Sequence, residues 1–190
     1  MKSVVLKQFV RKPRTTGAVL PSSSLLCKAI VSEINIESAS SVAELGPGTG
    51  VVTSCILERI SSKTPFFAVE LNPDMLTVFK EKYPEVKVYN DSAANLPLFL
   101  KDQNLDSLDA IISGLPWASF PCKVQESILD AIIECLSPDG VFTTFAYLQG
   151  MLLPAGKKFK QRLIRHFSRV EKSQVIWRNI PPAFVYRCWK

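Results

Sequence analysis

Val42-Ala43-Glu44-Leu45-Gly46-Pro47-Gly48-Thr49-Gly50 is the stretch on which the reading of this chain turns. It predicts a buried strand over residues 41–45, a glycine-dense turn, and a helix from Val51 to Ile60 with Glu58 and Arg59 on its wet side. Three glycines in five positions suit a backbone that bends tightly and lets a ligand approach, with turn and helix amides left facing the cleft. The turn is not a phosphate grip: no Lys-Ser/Thr pair follows it, and its spacing is not that of a pyrophosphate loop. Glu44, two residues ahead of Gly46, is a poor neighbour for phosphates and a good one for an ammonium or a hydroxyl. The expected ligand is a nucleoside carrying positive charge.

Two further strand ends carry polar groups. Phe66 to Val69 predicts a second parallel strand ending at Glu70, with Pro73 opening a helix to Lys82 that turns Met75, Leu76 and Phe79 towards the sheet. An acid at that place can accept hydrogen bonds from both ribose hydroxyls. A third strand over residues 86–90 delivers Asp91, which could accept from an adenine amino group. Successive strand–turn–helix units imply right-handed crossovers and a parallel sheet, with their loops gathered at the carboxyl ends of the strands.

ELGPGTG (residues 44–50), AVELNPD (68–74) and NDSAANL (90–96) together resemble the class I S-adenosylmethionine-dependent methyltransferases. With QFVRKPRTTGAVLPSS near the amino terminus and WRNIPPAFVYR near the carboxyl terminus, the chain is similar to the bacterial phospholipid N-methyltransferase group, relatives of the rRNA adenine dimethyltransferases. The resemblance implies a Rossmann-like α/β fold. Its seven-stranded sheet is mostly parallel with an antiparallel C-terminal strand, and helices cover both faces. It implies S-adenosylmethionine as cofactor, held by Glu44, Gly46, Gly48, Gly50, Glu70, Leu71, Asp91, Ser92, Ala93 and Ser113. The segment around Thr16, Gly17 and Ser22 would close over it; an ordinary capped loop is the other reading of those three residues.

The fourth strand, Leu108 to Ser113, leads into Gly114-Leu115-Pro116-Trp117, the expected methyl-acceptor pocket with Ser113 and Trp117 as its catalytic candidates. Many amine-directed relatives place Asn or Asp, two prolines and an aromatic here. Ser113 is a smaller, less directed acceptor, which makes adenine a less convincing substrate. Trp117 either faces a cationic amine through its ring or is simply buried.

At 190 residues, 47% of them apolar, the chain is expected to form one catalytic domain over residues 33–190 behind an N-terminal segment 1–32 that is amphipathic and covers the cofactor. No run of 18 apolar residues occurs, so no spanning helix is expected. Cys27, Cys55, Cys122, Cys135 and Cys188 form no CxxC pair, which predicts a reducing, cytoplasmic setting and no metal site; His166 has no metal or catalytic context. The net charge of +6 is concentrated before Glu33 and over residues 157–172. Such patches attract phosphates of nucleic acid or of anionic lipid alike, or serve only solubility. Residues 3–12 can form a short helix with Val5, Leu6, Phe9 and Val10 on one side. It would lie on a membrane surface, pack on its own domain, or contact RNA.

The leading expectation is methyl transfer to the amine of phosphatidylethanolamine or its partly methylated forms, by a protein peripheral to the inner face of the membrane. RNA or a small amine as acceptor, and a non-catalytic S-adenosylmethionine binder, are the alternatives. Val124 to Leu136 is expected as a helix, Ser137–Gly140 as a turn, and Val141–Tyr147 as a buried strand. A basic last helix over 157–165 and an antiparallel pair over 168–177 and 183–189 close the chain.

Overall fold

The structure is a computed structural model that describes residues 24–190. Seven strands form one sheet in the order β3-β2-β1-β4-β5-β7-β6. They are β1 (Val42–Leu45), β2 (Phe66–Val69), β3 (Lys87–Tyr89), β4 (Leu108–Ser113), β5 (Leu136–Tyr147), β6 (Arg169–Lys172) and β7 (Ala183–Trp189). β1 to β5 pair in parallel, and β7 runs antiparallel to both β5 and β6. This is the mostly parallel, Rossmann-like α/β sheet expected from the sequence. The strand order reverses between β1 and β4, which opens a crevice at their carboxyl ends.

Among the described residues six helices pack on the sheet: α1 (Ser24–Ile30), α2 (Val51–Leu57), α3 (Pro73–Lys82), α4 (Leu96–Asp102), α5 (Cys122–Cys135) and α6 (Pro154–His166). All four residues of β1 are buried, so successive side chains feed two different cores. Ala43 and Leu45 join Leu96 and Phe99 of α4, Ile128 and Ile132 of α5, and Phe159 and Leu163 of α6. Val42, on the other face, joins Leu26, Cys27 and Ile30 of α1 and Val52 and Ile56 of α2. The described end of the 1–32 segment is thus continuous with the domain core. Ile128, Ala131, Ile132 and Cys135 all point inward as the helical spacing requires, and Tyr186 is a core residue.

Three boundaries depart from the sequence-based expectation. Ser137–Gly140 is not a free-standing turn but an irregularity inside β5: Leu136 pairs with Leu108, and the register resumes at Val141 opposite Ala110. The segment stays on the sheet because Ser137 donates its hydroxyl to Asp109, 2.9 Å away. β6 ends at Lys172 instead of running to 177, because the Ser173 hydroxyl accepts the Val185 amide at 2.9 Å and turns the chain out of the ladder. α6 starts at Pro154, which supplies the preset φ of a first helical residue, after a 3-10 turn over Leu148–Leu152. Among the described residues no helix is long and apolar enough to cross a membrane.

Candidate functional site

Parallel pairing puts the functional positions in one row. Leu45 is level with Val69 and with Ser113, and Val69 with Tyr89. The next residue on each strand, Gly46, Glu70, Asn90 and Gly114, therefore stands at the lip of the crevice. Glu70, Leu71, Asp91 and Ser92 gather there with the glycine turn. Asn90, which sequence reasoning passed over, donates its side-chain amide to the Glu70 and Leu71 carbonyls at 2.8 and 3.2 Å and so ties the second and third strand ends together.

The glycine turn has the expected backbone: φ is +73° at Gly46, +56° at Gly48 and +75° at Gly50. At Gly114 a Cβ would sit 2.6 Å from the Gly46 carbonyl oxygen, so the two loops can meet only because Gly114 has no side chain. The amides of the turn's three glycines do not hang free as expected. Gly46 donates to Val69, Gly48 to the Glu70 carboxylate and Gly50 to Pro47, at 2.8, 3.0 and 2.9 Å. The turn continues the β1–β2 ladder and then closes on itself, so the three glycine N–H groups hold the loop's shape.

Glu70 also accepts the Asn72 amide at 2.8 Å. Each oxygen thus holds one backbone donor and keeps a second lone pair for hydroxyls. Burial raises its pKa, and the amides of Asn72 and Gly48 oppose the rise. Asp91 accepts the Ser92 amide at 2.6 Å, and Ser92 caps the turn that buries Ala93.

Glu44 is the least ordinary group in the molecule. It lies on the same face of β1 as Val42, fully buried, with one oxygen accepting the Thr53 hydroxyl at 2.6 Å. Its other oxygen, Oε1, has no partner among the described residues. Burial pushes its pKa up to about 8, the Thr53 bond works against that rise, and the Glu70 charge adds to it. An orphaned buried carboxylate oxygen is costly unless something cationic or hydrogen-donating completes it. In the glycine turn the position of a Gly48 Cβ meets nothing within 4 Å, which is open space against bare backbone. An acid wanting a cation, a bare turn and an acid with spare acceptor sites on the next strand fit S-adenosylmethionine. Thr16, Gly17, Ser22 and the helix expected over 3–12 lie outside the described residues. No group of His, Cys, Asp and Glu among the described residues could hold a metal.

On the other side of the crevice is a pocket of about 270 Å³ lined by Leu115 to Ser119, the end of β5, Gly150, Met151, Leu153, Phe159 and Pro181. Trp117 lines this pocket and Ser113 does not, and neither is a free reactive group. Ser113 is fully buried, and its hydroxyl accepts the Leu115 amide and the Trp117 indole N–H at 3.3 and 3.2 Å. That N–H is shared with Thr144 at 3.0 Å. One indole face is stacked on Phe159, with ring centroids 4.6 Å apart. Trp117 therefore forms the wall of the pocket. Gln125, buried in α5, pins this loop by donating to the Trp117 and Phe120 carbonyls at 2.7 and 3.2 Å, and Arg162 of α6 donates to Gln125 in turn at 2.9 Å.

One lining residue went unnoticed in the sequence, and Leu115, expected in the pocket, has a second role. Tyr147, half-buried at the end of β5, has its phenol pKa raised by burial. Leu115 lines the pocket and would also be struck by a Cβ on Gly46, at 2.7 Å, so it is the partition between the two halves of the crevice. Only the aromatic at a strand end, in the case of Tyr147, was a signal that sequence could have offered.

Comparison with known proteins agrees with this geometry. A family model described as a methyltransferase domain matches residues 42–140, just over half the chain. The chain is 27% identical over 186 residues to an ornithine lipid N-methyltransferase from Singulisphaera acidiphila, covering 96% of this chain and 93% of that protein. It is 32% identical over 102 residues to the ribosomal RNA small subunit methyltransferase A of Malacoplasma penetrans, covering 54% of this chain but 35% of that protein. Among solved structures, an O-methyltransferase from Bacillus cereus in complex with SAH superposes on 98% of this chain and 91% of its own with a TM-score of 0.72, at 13% identity, a likeness of fold. Strand order, glycine turn, paired acids and family match converge: the chain belongs to the methyltransferase domain family and is an S-adenosylmethionine-dependent methyltransferase.

Proposed function

We propose that this enzyme methylates the amine of a membrane-lipid headgroup, phosphatidylethanolamine or its mono- and dimethyl forms. The observation that carries the reading is the character of the acceptor pocket. Apart from the engaged Trp117 indole, its polar side chains are Ser119, Tyr147 and Gln149, and the rest of its lining is aliphatic, aromatic or backbone. A nucleobase edge needs converging donors and acceptors, and the buried, committed Ser113 hydroxyl does not supply one. An amine at the end of an apolar molecule needs a dry wall and one or two acceptors. The similarity to an ornithine lipid N-methyltransferase over nearly the whole chain supports a lipid amine as acceptor.

When bound, S-adenosylmethionine supplies an electrophilic methyl on a sulfonium, and the amine nitrogen takes it as one N–H proton departs. The chain's own part is placement. Leu115 and Trp117 keep water from the acceptor side, and Gln125 holds their loop. Tyr147, kept protonated by burial, offers its oxygen to an amine N–H. The departing proton goes to water. Glu44 and Glu70 serve the cofactor.

The test is parallel incubation of the protein and methyl-labelled S-adenosylmethionine with phosphatidylethanolamine vesicles, ornithine lipid vesicles, total RNA and small amines. Label is expected in phosphatidylethanolamine and its methylated products. Label in ornithine lipid alone would move the headgroup assignment, and label in RNA alone would overturn the reading.

A further inference from the structure

Beside the pocket, the two segments that give it Leu153 and Pro181 turn large apolar side chains to the outside. Leu148, Leu152 and Leu153 come from the 3-10 turn before α6, and Trp177 and Ile180 from the segment before β7. They are 39%, 80%, 53%, 68% and 75% exposed. The two segments form one rim: the Leu148 amide donates to the Pro182 carbonyl at 2.9 Å, and Leu153 and Pro181 line the same pocket. Trp177 follows Ile176, which bridges to Ala183 at the start of β7. The other exposed apolar residues, such as Val78 and Leu98, stand singly on helices and need no explanation.

The charge around this rim is of one sign. Between Asp139 and Lys190 the only acid is Glu171, which pairs with Arg169. Lys157, Lys158 and Arg178 are exposed beside the rim, and none is in an ion pair among the described residues. Lys157 and Lys158 also lie near the N-terminus of α6, where no acid offsets the positive end of the helix dipole. Two cations in that place oppose helix formation, and an anionic surface would relieve the opposition.

We propose that this rim is a docking face for an anionic bilayer, with Leu148, Leu152, Leu153, Trp177 and Ile180 entering the interface and Lys157, Lys158 and Arg178 meeting lipid phosphates. The proposal rests on the lipid reading of the acceptor pocket and adds its direction of entry: the headgroup amine comes into the pocket from the membrane side without leaving the bilayer. Aliphatic side chains interleaved with cations favour a bilayer over RNA, because leucine and isoleucine cannot stack on bases, whereas they gain by leaving water at a membrane surface.

The test uses the full chain and its partition onto vesicles of phosphatidylcholine with phosphatidylglycerol, against phosphatidylcholine alone, in the absence of any methylation. The protein should prefer the anionic vesicles, with a preference that fades with salt. The emission of Trp177 should shift to the blue on binding, a change lost in Trp177→Phe. The double variants Leu152→Glu with Ile180→Glu, and Lys157→Glu with Lys158→Glu, should each weaken partition about tenfold or more while melting temperature and S-adenosylmethionine binding stay as in the parent. Partition unchanged in both double variants, bound protein with unmoved Trp177 emission, or loss of RNA binding in place of vesicle binding would overturn the docking face. Its fate is separable from that of the substrate reading: rim variants released from vesicles without any lipid becoming labelled would keep the surface and sink the substrate. Methylation of a dispersed short-chain phosphatidylethanolamine, with vesicle partition insensitive to the variants, would do the reverse.

Discussion

On the β3-β2-β1 side of the crevice two carboxylates are buried, Glu44 and Glu70, and on the β4-β5-β7 side a cluster of rings surrounds Trp117. Glu44 and Glu70 are buried near a turn whose glycine amides are already engaged. Across the partition made by Leu115, Trp117 stacks on Phe159 and meets Phe142 and Phe120 edge-on. The first side stores electrostatic cost that a cation can relieve. The second excludes water and offers few directed bonds. The difference suits a reaction in which one ligand must be gripped by its charge and the other needs only to be placed and kept dry.

The most severe way to break this arrangement is at the point where its halves touch. Gly114→Ala puts a methyl against the Gly46 carbonyl and should cost about 1–3 kcal/mol of stability and impair both ligands together, measured by denaturant melts and by S-adenosylmethionine titration. An alanine variant with parent stability would show that the two loops can separate freely.

Glu44→Gln separates the halves more cleanly. Cofactor affinity should fall tenfold or more, as expected for losing a charged partner of about 1.5–3 kcal/mol, with little change in any acceptor constant. Stability should move the other way. The folded pKa is raised to about 8 from an unfolded value near 4.5. Wild-type Glu44 therefore favours the fold most below pH 4.5, and this contribution is lost as pH rises towards 8. Between pH 5.5 and 8 the ligand-free wild type should lose about 3 kcal/mol relative to Glu44→Gln. Parallel pH profiles of the two proteins would mean that Glu44 is already satisfied.

Gln125→Leu should sharpen the acceptor side. It frees the Trp117 and Phe120 carbonyls and leaves Arg162 short of one bond, for about 1–2 kcal/mol of stability. The acceptor KM should rise with cofactor affinity retained, and rescue by Gln125→Glu, which keeps a bond to Arg162, should be partial at best. The smallest effect is expected from Tyr147→Phe, a few-fold rise in acceptor KM without a change in melting temperature. A large fall in kcat there would promote the phenol from placement to proton transfer.

The cofactor half was legible because its parts are local. Glu44, the glycine turn and α2 are contiguous, and Glu70 and Asp91 are each carried by a strand followed by a helix start, so parallel pairing was enough to bring them level. What the local reading missed there was the turn's own bonding, since the donors' partners, Val69 and Glu70, lie on another strand. The acceptor half was read only in outline. Ser113 closes β4 and Trp117 follows it, as expected, but their commitments to Thr144 and to Phe159 join residues up to 42 positions apart. The bulge inside β5 and the early end of β6 depend on single side-chain bonds to neighbouring strands, which periodicity does not encode.

By itself the sequence determined the order of strands and helices, the glycine turn and the acids carried by the first three strands, because periodicity, turn chemistry and strand-end spacing act over a few residues. Tertiary structure alone decided that one Glu44 oxygen is left without a protein partner, that Trp117 is a wall, that Leu115 divides the crevice, and that Leu152 and Ile180 share a rim. Each of those is a contact or a lack of one between distant segments, settled only when the whole sheet closes and the cost of burial falls on particular atoms.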